Sequence, residues 1–408
     1  MKTKTILISG ASVAGPALAF WLCRYGFEPT IVERAPHVRP GGYAIDFRGA
    51  SLRVLERMGL RAEVTQRRTR IGPITIVDRN NRKVASMPDG FTSGELEVLR
   101  GDLADIFHEA TRETTEYIFD DSVARIDEDS TGVEVEFQRG GRRRFDLVIG
   151  ADGLHSKVRS VVFGDEHKFL RFLGVYVSIF TIPNFLKLDH AGLYFGTLGK
   201  RVGIFSGGGG VNASASFFFW SDAPHDARRE SADQKRILRE HFENEGWQIP
   251  HLLDYMETAP DFYFDSVSQI KMDCWSQGRT ALLGDAAWCA SPLSGMGTGM
   301  AVVGAYVLAG ELAEASGDYR VAFKQYETLM REFVKKCQAL ADGGTEWFVP
   351  RTRFRQWLST QMWKVLPYTP WKNMMIEVPL KIGNSIELKD YRAHQRVCAE
   401  LSASAAFE

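Results

Sequence analysis

Three short stretches carry side chains whose type and spacing suit chemistry rather than packing. The first is Gly10-Ala11-Ser12-Val13-Ala14-Gly15, with Glu33 lying 18 residues beyond Gly15. Gly10 permits a tight turn, backbone through Ser12 and Ala14 can approach a pyrophosphate, and Gly15 lets helix pack closely on strand. A carboxylate placed as Glu33 is can hold ribose hydroxyls. Ser12 stands where the middle glycine of such a turn belongs. An unrelated buried strand–helix–strand unit would share the glycines, and the acid closing the second strand is what favours a nucleotide. The second stretch is Asp152-Gly153, after Leu147-Val148-Ile149-Gly150. The third is Gly284-Asp285, after Thr280-Ala281-Leu282-Leu283, followed by Pro292-Leu293-Ser294-Gly295-Met296-Gly297-Thr298-Gly299. An acid at the carboxyl end of a strand stands where open α/β sheets bind ligands, and Asp285 can accept from the hydroxyls of a sugar-like chain. The glycine-rich segment lets backbone lie against a flat ring, and the helix after it directs its positive end at negative charge.

Each stretch needs a strand behind it and a helix in front. Thr5–Ser9 reads as a buried strand, Pro16–Leu22 has helical spacing, Thr30–Glu33 is a second strand, and an apolar helix runs from Met300 to about Leu312. Residues 172–182 alternate: Phe172, Gly174, Tyr176, Ser178 and Phe180 on one face, Leu173, Val175, Val177, Ile179 and Thr181 on the other. With the runs 192–198, 202–206 and Ser214–Trp220, this predicts an antiparallel sheet with an aromatic face. Phe172, Tyr176 and Phe180, joined by Tyr194 and Phe217, are the candidate substrate contacts. The alternative for that face is core packing against a helix. Residues 230–258 have helical spacing, and Arg142-Arg143-Arg144 reads as a solvated hairpin end. From 320 to 408 the chain is helical and aromatic, broken at Pro367 and Pro370, a segment able to brace the domains.

The chain has 408 residues, enough for two or three domains. Its 50 basic and 51 acidic side chains leave a net charge of −1, without the basic surplus that phosphate backbones demand. With 26 Phe and 9 Trp, global disorder is excluded. The cysteines at 23, 274, 289, 337 and 398 are scattered, with no Cys-x-x-Cys pair, which suits a reducing compartment and no metal site. Residues 6–23 are uncharged and contain Ala17-Leu18-Ala19, a possible cleavage site, but Ser9-Gly10-Ala11-Ser12 breaks the run as a turn would.

Taken in order, these motifs resemble the class A FAD-dependent monooxygenases, the group of p-hydroxybenzoate hydroxylase. Leu99-Arg100-Gly101-Asp102-Leu103 adds a fourth match, the Arg-x-x-Leu of that group. Gly41-Gly42-Tyr43-Ala44-Ile45-Asp46-Phe47-Arg48-Gly49, Phe180-Thr181-Ile182-Pro183-Asn184, Ser291-Pro292-Leu293-Ser294-Gly295 and Asn384-Ser385-Ile386-Glu387-Leu388 are similar to stretches of the tetracycline-inactivating branch. The resemblance implies an α/β fold with a Rossmann-like FAD-binding domain from 1–70, 97–160 and 265–325. It implies a mostly antiparallel substrate domain from 71–96 and 161–264, and a C-terminal helical segment from 326–408. It implies FAD contacts at Gly10, Ser12, Ala14, Gly15, Glu33, Arg34, Arg48, Arg100, Asp152, Gly153, Gly284, Asp285, Pro292, Gly295, Gly297 and Thr298. Pro292, Gly295 and Gly297 would line the oxygen-reacting side as the catalytic positions. NADPH or NADH would serve as transient reductant, O₂ would add at the flavin C4a, and one oxygen atom would pass to a polycyclic, phenolic or enolic small molecule. A tetracycline-type antibiotic leads, and a biosynthetic aromatic polyketide is the alternative. A halogenase of related fold carries Trp-x-Trp-x-Ile-Pro, but Glu245 replaces the first Trp ahead of Trp247-Gln248-Ile249-Pro250. A flavin reductase or dehydrogenase acting on isoprenoids and a non-catalytic ligand-binding protein are the remaining readings. A cytoplasmic monomer is expected, with no nucleic-acid or membrane partner. The chain departs from the group at Trp288 (usually His), Gly299 (often Asn) and Gly304 (often Asp).

Overall fold

Strands that are apolar on both sides must be covered on both faces, and the motif strands are of this kind. The computed structural model describes residues 3–39, 41–87, 94–207, 210–222, 230–370 and 373–392. A six-stranded sheet runs in the order Ser276–Gln277, Thr280–Leu282, Leu147–Gly150, Thr5–Ser9, Glu28–Glu33, Glu116–Phe119. Its pairs are parallel apart from the antiparallel edge formed by Ser276–Gln277. Ile8 is opposite Ile149, which is in turn opposite Ala281, so the three motif strands end level at one edge. The helix Gly297–Glu314 is apolar all round and correspondingly buried, packed between the helices Ala14–Arg24 and Tyr319–Ala339. Arg142–Phe145 is the second strand of a solvated hairpin with Val133–Phe137, within a separate three-stranded sheet. Its arginines form surface pairs with Glu136, Glu116 and Asp129.

The second large sheet has seven strands, in the order Tyr263–Ile270, Leu170–Pro183, Asn212–Trp220, Lys200–Ser206, Ala191–Thr197, Ile74–Val77, Lys83–Ser86. A domain boundary between 264 and 265 would cut the strand Tyr263–Ile270, so residues 265–270 belong with this sheet. The ladder along that strand shifts register between Phe172 and Tyr176, at a bulge where Gly174 lies under the Trp220 ring.

The expectation for the aromatic face is corrected here. Tyr176, Phe180 and Phe217 are essentially inaccessible, and they pack with Leu238, Phe242, Leu252 and Met256 of the helices Ser231–Phe242 and Ile249–Thr258. Phe172 packs against the same cluster. Four aromatic rings that supply the core of a sheet–helix layer are spent on packing. Tyr194 points to the other face, against Phe205, Phe348 and Trp363.

The C-terminal segment is helical at Gly344–Phe348, Arg353–Val365 and Met374–Gly383, with a 3₁₀ turn at Leu366–Tyr368 that contains Pro367. Beyond it, the Tyr391 hydroxyl and Lys389 Nζ both reach the buried Glu311 carboxylate at 2.6 Å. Trp371 and residues 393–408 lie outside the described residues.

Candidate active site

The glycine turn is built to bring two strand ends together. Gly10 has φ +110°, and a Cβ there would stand 2.5 Å from the Ala151 carbonyl oxygen, so this turn lies directly against the Asp152-Gly153 turn. A Cβ on Gly15 would stand 2.0 Å from the Gly10 carbonyl oxygen. Glu33 is buried; its Oε2 accepts from the Ala11 N–H at 2.9 Å and its Oε1 from the Ala35 N–H at 3.0 Å. Ser12, the departure from glycine, gives Arg100 a seat: Arg100 Nη1 donates to Ser12 Oγ at 3.0 Å. A narrow cleft opens here, lined by Ala11, Ser12, Glu33, His37, Arg39 and Arg100. Arg39 was not anticipated from sequence. Packing around it and the neighbouring Arg100 charge hold its guanidinium below its usual value. Two guanidinium groups against one carboxylate, beside a helix N-terminus, suit a diphosphate. Arg34 is exposed just beyond Glu33.

The other two acids also fit a hydroxyl-rich ligand. Asp152 Oδ2 accepts from the Lys157 and Val158 N–H groups at 2.8 and 3.1 Å, whereas its buried Oδ1 has no partner among the described residues. Burial pushes the Asp152 carboxyl up, against those hydrogen bonds. Asp285 is half-buried, and its carboxyl is also raised, by desolvation first, with the Cys289 thiol beside it. A Cβ on Gly284 would stand 3.3 Å from the Ala14 Cβ, so the third strand end meets the first turn. An orphaned acceptor and a second, half-buried carboxylate at the same sheet edge suit donors such as ribose and ribityl hydroxyls.

The segment after Asp285 is fixed by its own hydrogen bonds. Ser291 Oγ accepts from the Leu293 N–H at 3.2 Å, Ser294 Oγ donates to the Ser291 carbonyl at 2.8 Å, and Ser294 Oγ accepts from the Met296 N–H at 3.2 Å. Arg48, paired with Asp46 at 3.1 Å, donates from Nη1 to the Gly295 carbonyl at 2.9 Å. Arg48 therefore holds the turn in place. Pro292 and Gly295 belong to this turn, and Gly297 and Thr298 open the helix Gly297–Glu314. A Cβ on Gly297 would lie 3.6 Å from Asp285 Oδ1.

Leu293, from the same turn, packs with Val175, Val177, Phe218, Val267, Tyr263, Phe348 and Val349. The sheet face that meets the Pro292 turn is thus the aliphatic one. Alternation marks two faces in the sequence but gives no sign of which one helices will cover. Tyr43 packs on Tyr263 with ring centroids 5.8 Å apart. Nearby, His155 joins Glu166 through Nδ1 at 2.9 Å and Asp265 through Nε2 at 3.0 Å.

Two of the departures are complementary. Trp288 is buried, donates from Nε1 to the Tyr326 hydroxyl at 3.2 Å, and lies 3.0 Å from where a Cβ on Gly304 would stand. The large ring and the missing side chain are one exchange. Gly299 lets Ser51 approach: a Cβ there would stand 3.1 Å from Ser51 Oγ.

Three level strand ends, a basic cleft beside the first glycine turn and a pre-set glycine-rich turn fit FAD on a p-hydroxybenzoate hydroxylase-type fold. The sequence matches the FAD binding domain family over residues 2–339; the chain belongs to that family and is an FAD-dependent monooxygenase. A flavin-dependent monooxygenase from an unknown prokaryotic organism is 40% identical over 393 residues, 95% of this chain and 99% of the relative. Among solved structures, the chain is similar to the tetracycline destructases Tet(51) and Tet(55). The TM-scores are 0.83 and 0.82 and the identities 36% and 38%, covering 95% and 96% of this chain and 99% of each destructase.

Proposed function

We propose that this monooxygenase inserts one oxygen atom from O₂ into a planar enolic or phenolic small molecule, with tetracycline-type antibiotics as the leading substrates and NADPH or NADH as the reductant. The observation that carries this reading is the similarity to two tetracycline destructases along nearly the whole chain, substrate sheet and C-terminal helices included. Bound FAD supplies the redox chemistry: hydride acceptance and activation of O₂. Glu33, Arg39, Arg100, Asp152 and Asp285 bind and orient it. The turn at Pro292, braced by Arg48, presents backbone to the ring. The apolar face carrying Val177, Phe218, Leu293 and Phe348 keeps water from the reacting atoms. For each turnover, substrate, O₂, NAD(P)H and one proton give hydroxylated product, water and NAD(P)⁺. No described helix is long and apolar enough to cross a membrane, and the four described cysteines are free thiols; the reading places the enzyme in the cytoplasm.

The test is incubation of the purified flavoprotein with tetracyclines and simple phenols under ¹⁸O₂, followed by mass spectrometry. Gain of one labelled oxygen on a tetracycline, with stoichiometric NAD(P)H consumption, is expected. Oxygen insertion confined to small phenols would remove the antibiotic from the proposal, and hydrogen peroxide as sole product would remove the whole panel.

A further inference from the structure

Large apolar side chains that stay exposed are not spread evenly over the molecule. Of the ten exposed among the described residues, seven lie between Trp347 and Val378. Single exposures are ordinary, but a concentration of them marks a contact surface. The helix Arg353–Val365 carries its share on one side. Phe354, Trp357 and Val365 are 67%, 58% and 55% exposed, at the spacing i, i+3 and i+11 of a single helical face. The Tyr368 ring just beyond is 89% exposed. Phe354 and Trp357 stack on each other with ring centroids 6.2 Å apart. The opposite side of the helix is already used. Trp363 is buried in the cluster of Ile74, Met87 and Tyr194, Gln356 Nε2 donates to the Gly196 carbonyl at 3.1 Å, and Ser359 Oγ donates to the Trp347 carbonyl at 3.3 Å. The helix is thus held by one face and offers a second apolar face, which calls for a cover of its own.

Charge decides which cover fits. Residues 351–381 hold six basic side chains against one acidic, in a chain whose net charge is −1. Arg351 and Arg355 are paired, with Asp222 and Glu346. Arg353 and Lys364 are exposed beside the apolar stripe and have no ion-pair partner among the described residues. A second copy in a two-fold contact would set this face on itself and bring the unpaired cations together. A layer of anionic headgroups over hydrocarbon matches both features. Aromatic rings settle at headgroup level, and Lys and Arg beside them meet phosphate. A helix lying in that layer needs no spanning length, so it escapes the criterion that no described helix meets.

We propose that the outer face of Arg353–Val365, carrying Phe354, Trp357 and Val365 with Arg353 and Lys364, docks reversibly on an anionic phospholipid surface. The enzyme is then a peripheral protein at the cytoplasmic face of a membrane, which revises the expectation of no membrane partner. The inner face of the same helix packs with Ile74 and Tyr194 of the seven-stranded sheet, so docking turns the substrate domain toward the lipid. The inference goes beyond the proposed reaction and does not depend on which substrate is oxygenated.

The experiment is vesicle flotation of the FAD-loaded full-length enzyme, with flavin absorbance reporting the bound fraction. Two vesicles are compared, equimolar phosphatidylcholine and phosphatidylglycerol, and phosphatidylcholine alone. The wild type should partition about 10-fold or more strongly onto the mixed vesicles, and high salt should reduce that preference. Joint Arg353→Glu and Lys364→Glu should weaken binding to the mixed vesicles by about 10-fold or more. Joint Phe354→Ser and Trp357→Ser should weaken it by a similar factor, about 10-fold, with the salt dependence retained. Both double variants change exposed positions and should keep the wild-type flavin content and thermal midpoint. If one of them loses thermal stability, the other decides, because the two remove different chemistry. A wild type that stays with the soluble fraction overturns the proposal, as does equal partitioning onto the two vesicles or binding unchanged in a stably folded variant. Sedimentation velocity without lipid should show a wild-type monomer. A dimer that Phe354→Ser with Trp357→Ser dissociates would make a second copy the cover and overturn the lipid assignment.

Discussion

Glu33 holds two backbone N–H groups of the turn region and still has lone pairs to offer, since a carboxylate presents about four acceptor positions. Its aim is set before any ligand arrives. Glu33→Gln replaces one acceptor oxygen with an NH₂ group that must face either a backbone N–H or a ribose hydroxyl. We expect FAD affinity to fall about 10–100-fold, measured by titrating apoprotein with FAD; an unchanged dissociation constant would contradict the ribose assignment. Glu33, Asp152 and Asp285 were legible in the sequence because each closes an apolar run, and a strand end is a local property. Arg39 was not. A lone arginine carries no periodicity, and its long side chain reaches a destination that only tertiary packing decides.

At the scale of elements, the packing of Gly297–Glu314 on the Asp285–Trp288 turn explains why two departures occur together. A Cβ at position 304 would stand 3.0 Å from both Leu283 Cδ1 and Trp288 Cζ2. Gly304→Asp alone therefore overfills the site and should cost about 1–3 kcal/mol. Trp288→His alone leaves a cavity and frees the Tyr326 hydroxyl from its indole partner, costing about 2–4 kcal/mol. Joined, the two changes offset one another in volume and pair His with Asp, so urea unfolding of the four proteins should give a favourable coupling of at least about 1 kcal/mol. Strict additivity would show that the departures are independent. Element types and order were readable from run length and period: the motif strands, the apolar 297–314 helix and the middle sheet. The inward face of that sheet was not, because both faces are covered and both read as apolar. The helices Ser231–Phe242 and Ile249–Thr258 took the aromatic face, which leaves the face with Val177, Phe218 and Phe348 packed with Leu293 of the Pro292 turn.

At the scale of the whole molecule, His155 bridges the two large sheets. It follows the Asp152 turn of the first, and Nε2 reaches Asp265 on the edge strand of the second at 3.0 Å, while Nδ1 reaches Glu166 at 2.9 Å. Arg159, wholly buried, also donates to Glu166, at 2.8 Å, so the cluster is two cations on two carboxylates. Burial alone would lower the His155 pKa, but Asp265 and Glu166 outweigh it and push the imidazole up from 6.5 to about 9. A folded-state value above the unfolded one means that the stabilisation is fully present below pH 6.5, declines as pH rises, and is gone above about 9. The rise corresponds to on the order of 3 kcal/mol, and it acts on the joint between the sheets. His155→Gln retains a polar side chain but cannot take up the proton. The stability difference between wild type and variant should therefore shrink by about that amount between pH 6 and pH 9.5, read as urea midpoints of the FAD-loaded enzymes. The flavin signal should be lost at a lower urea concentration in the variant at pH 6, because the Asp152 turn is anchored through the neighbouring His155. A difference that stays flat across this window would mean that the bridge is neutral in the native enzyme and that the two sheets are joined by packing alone.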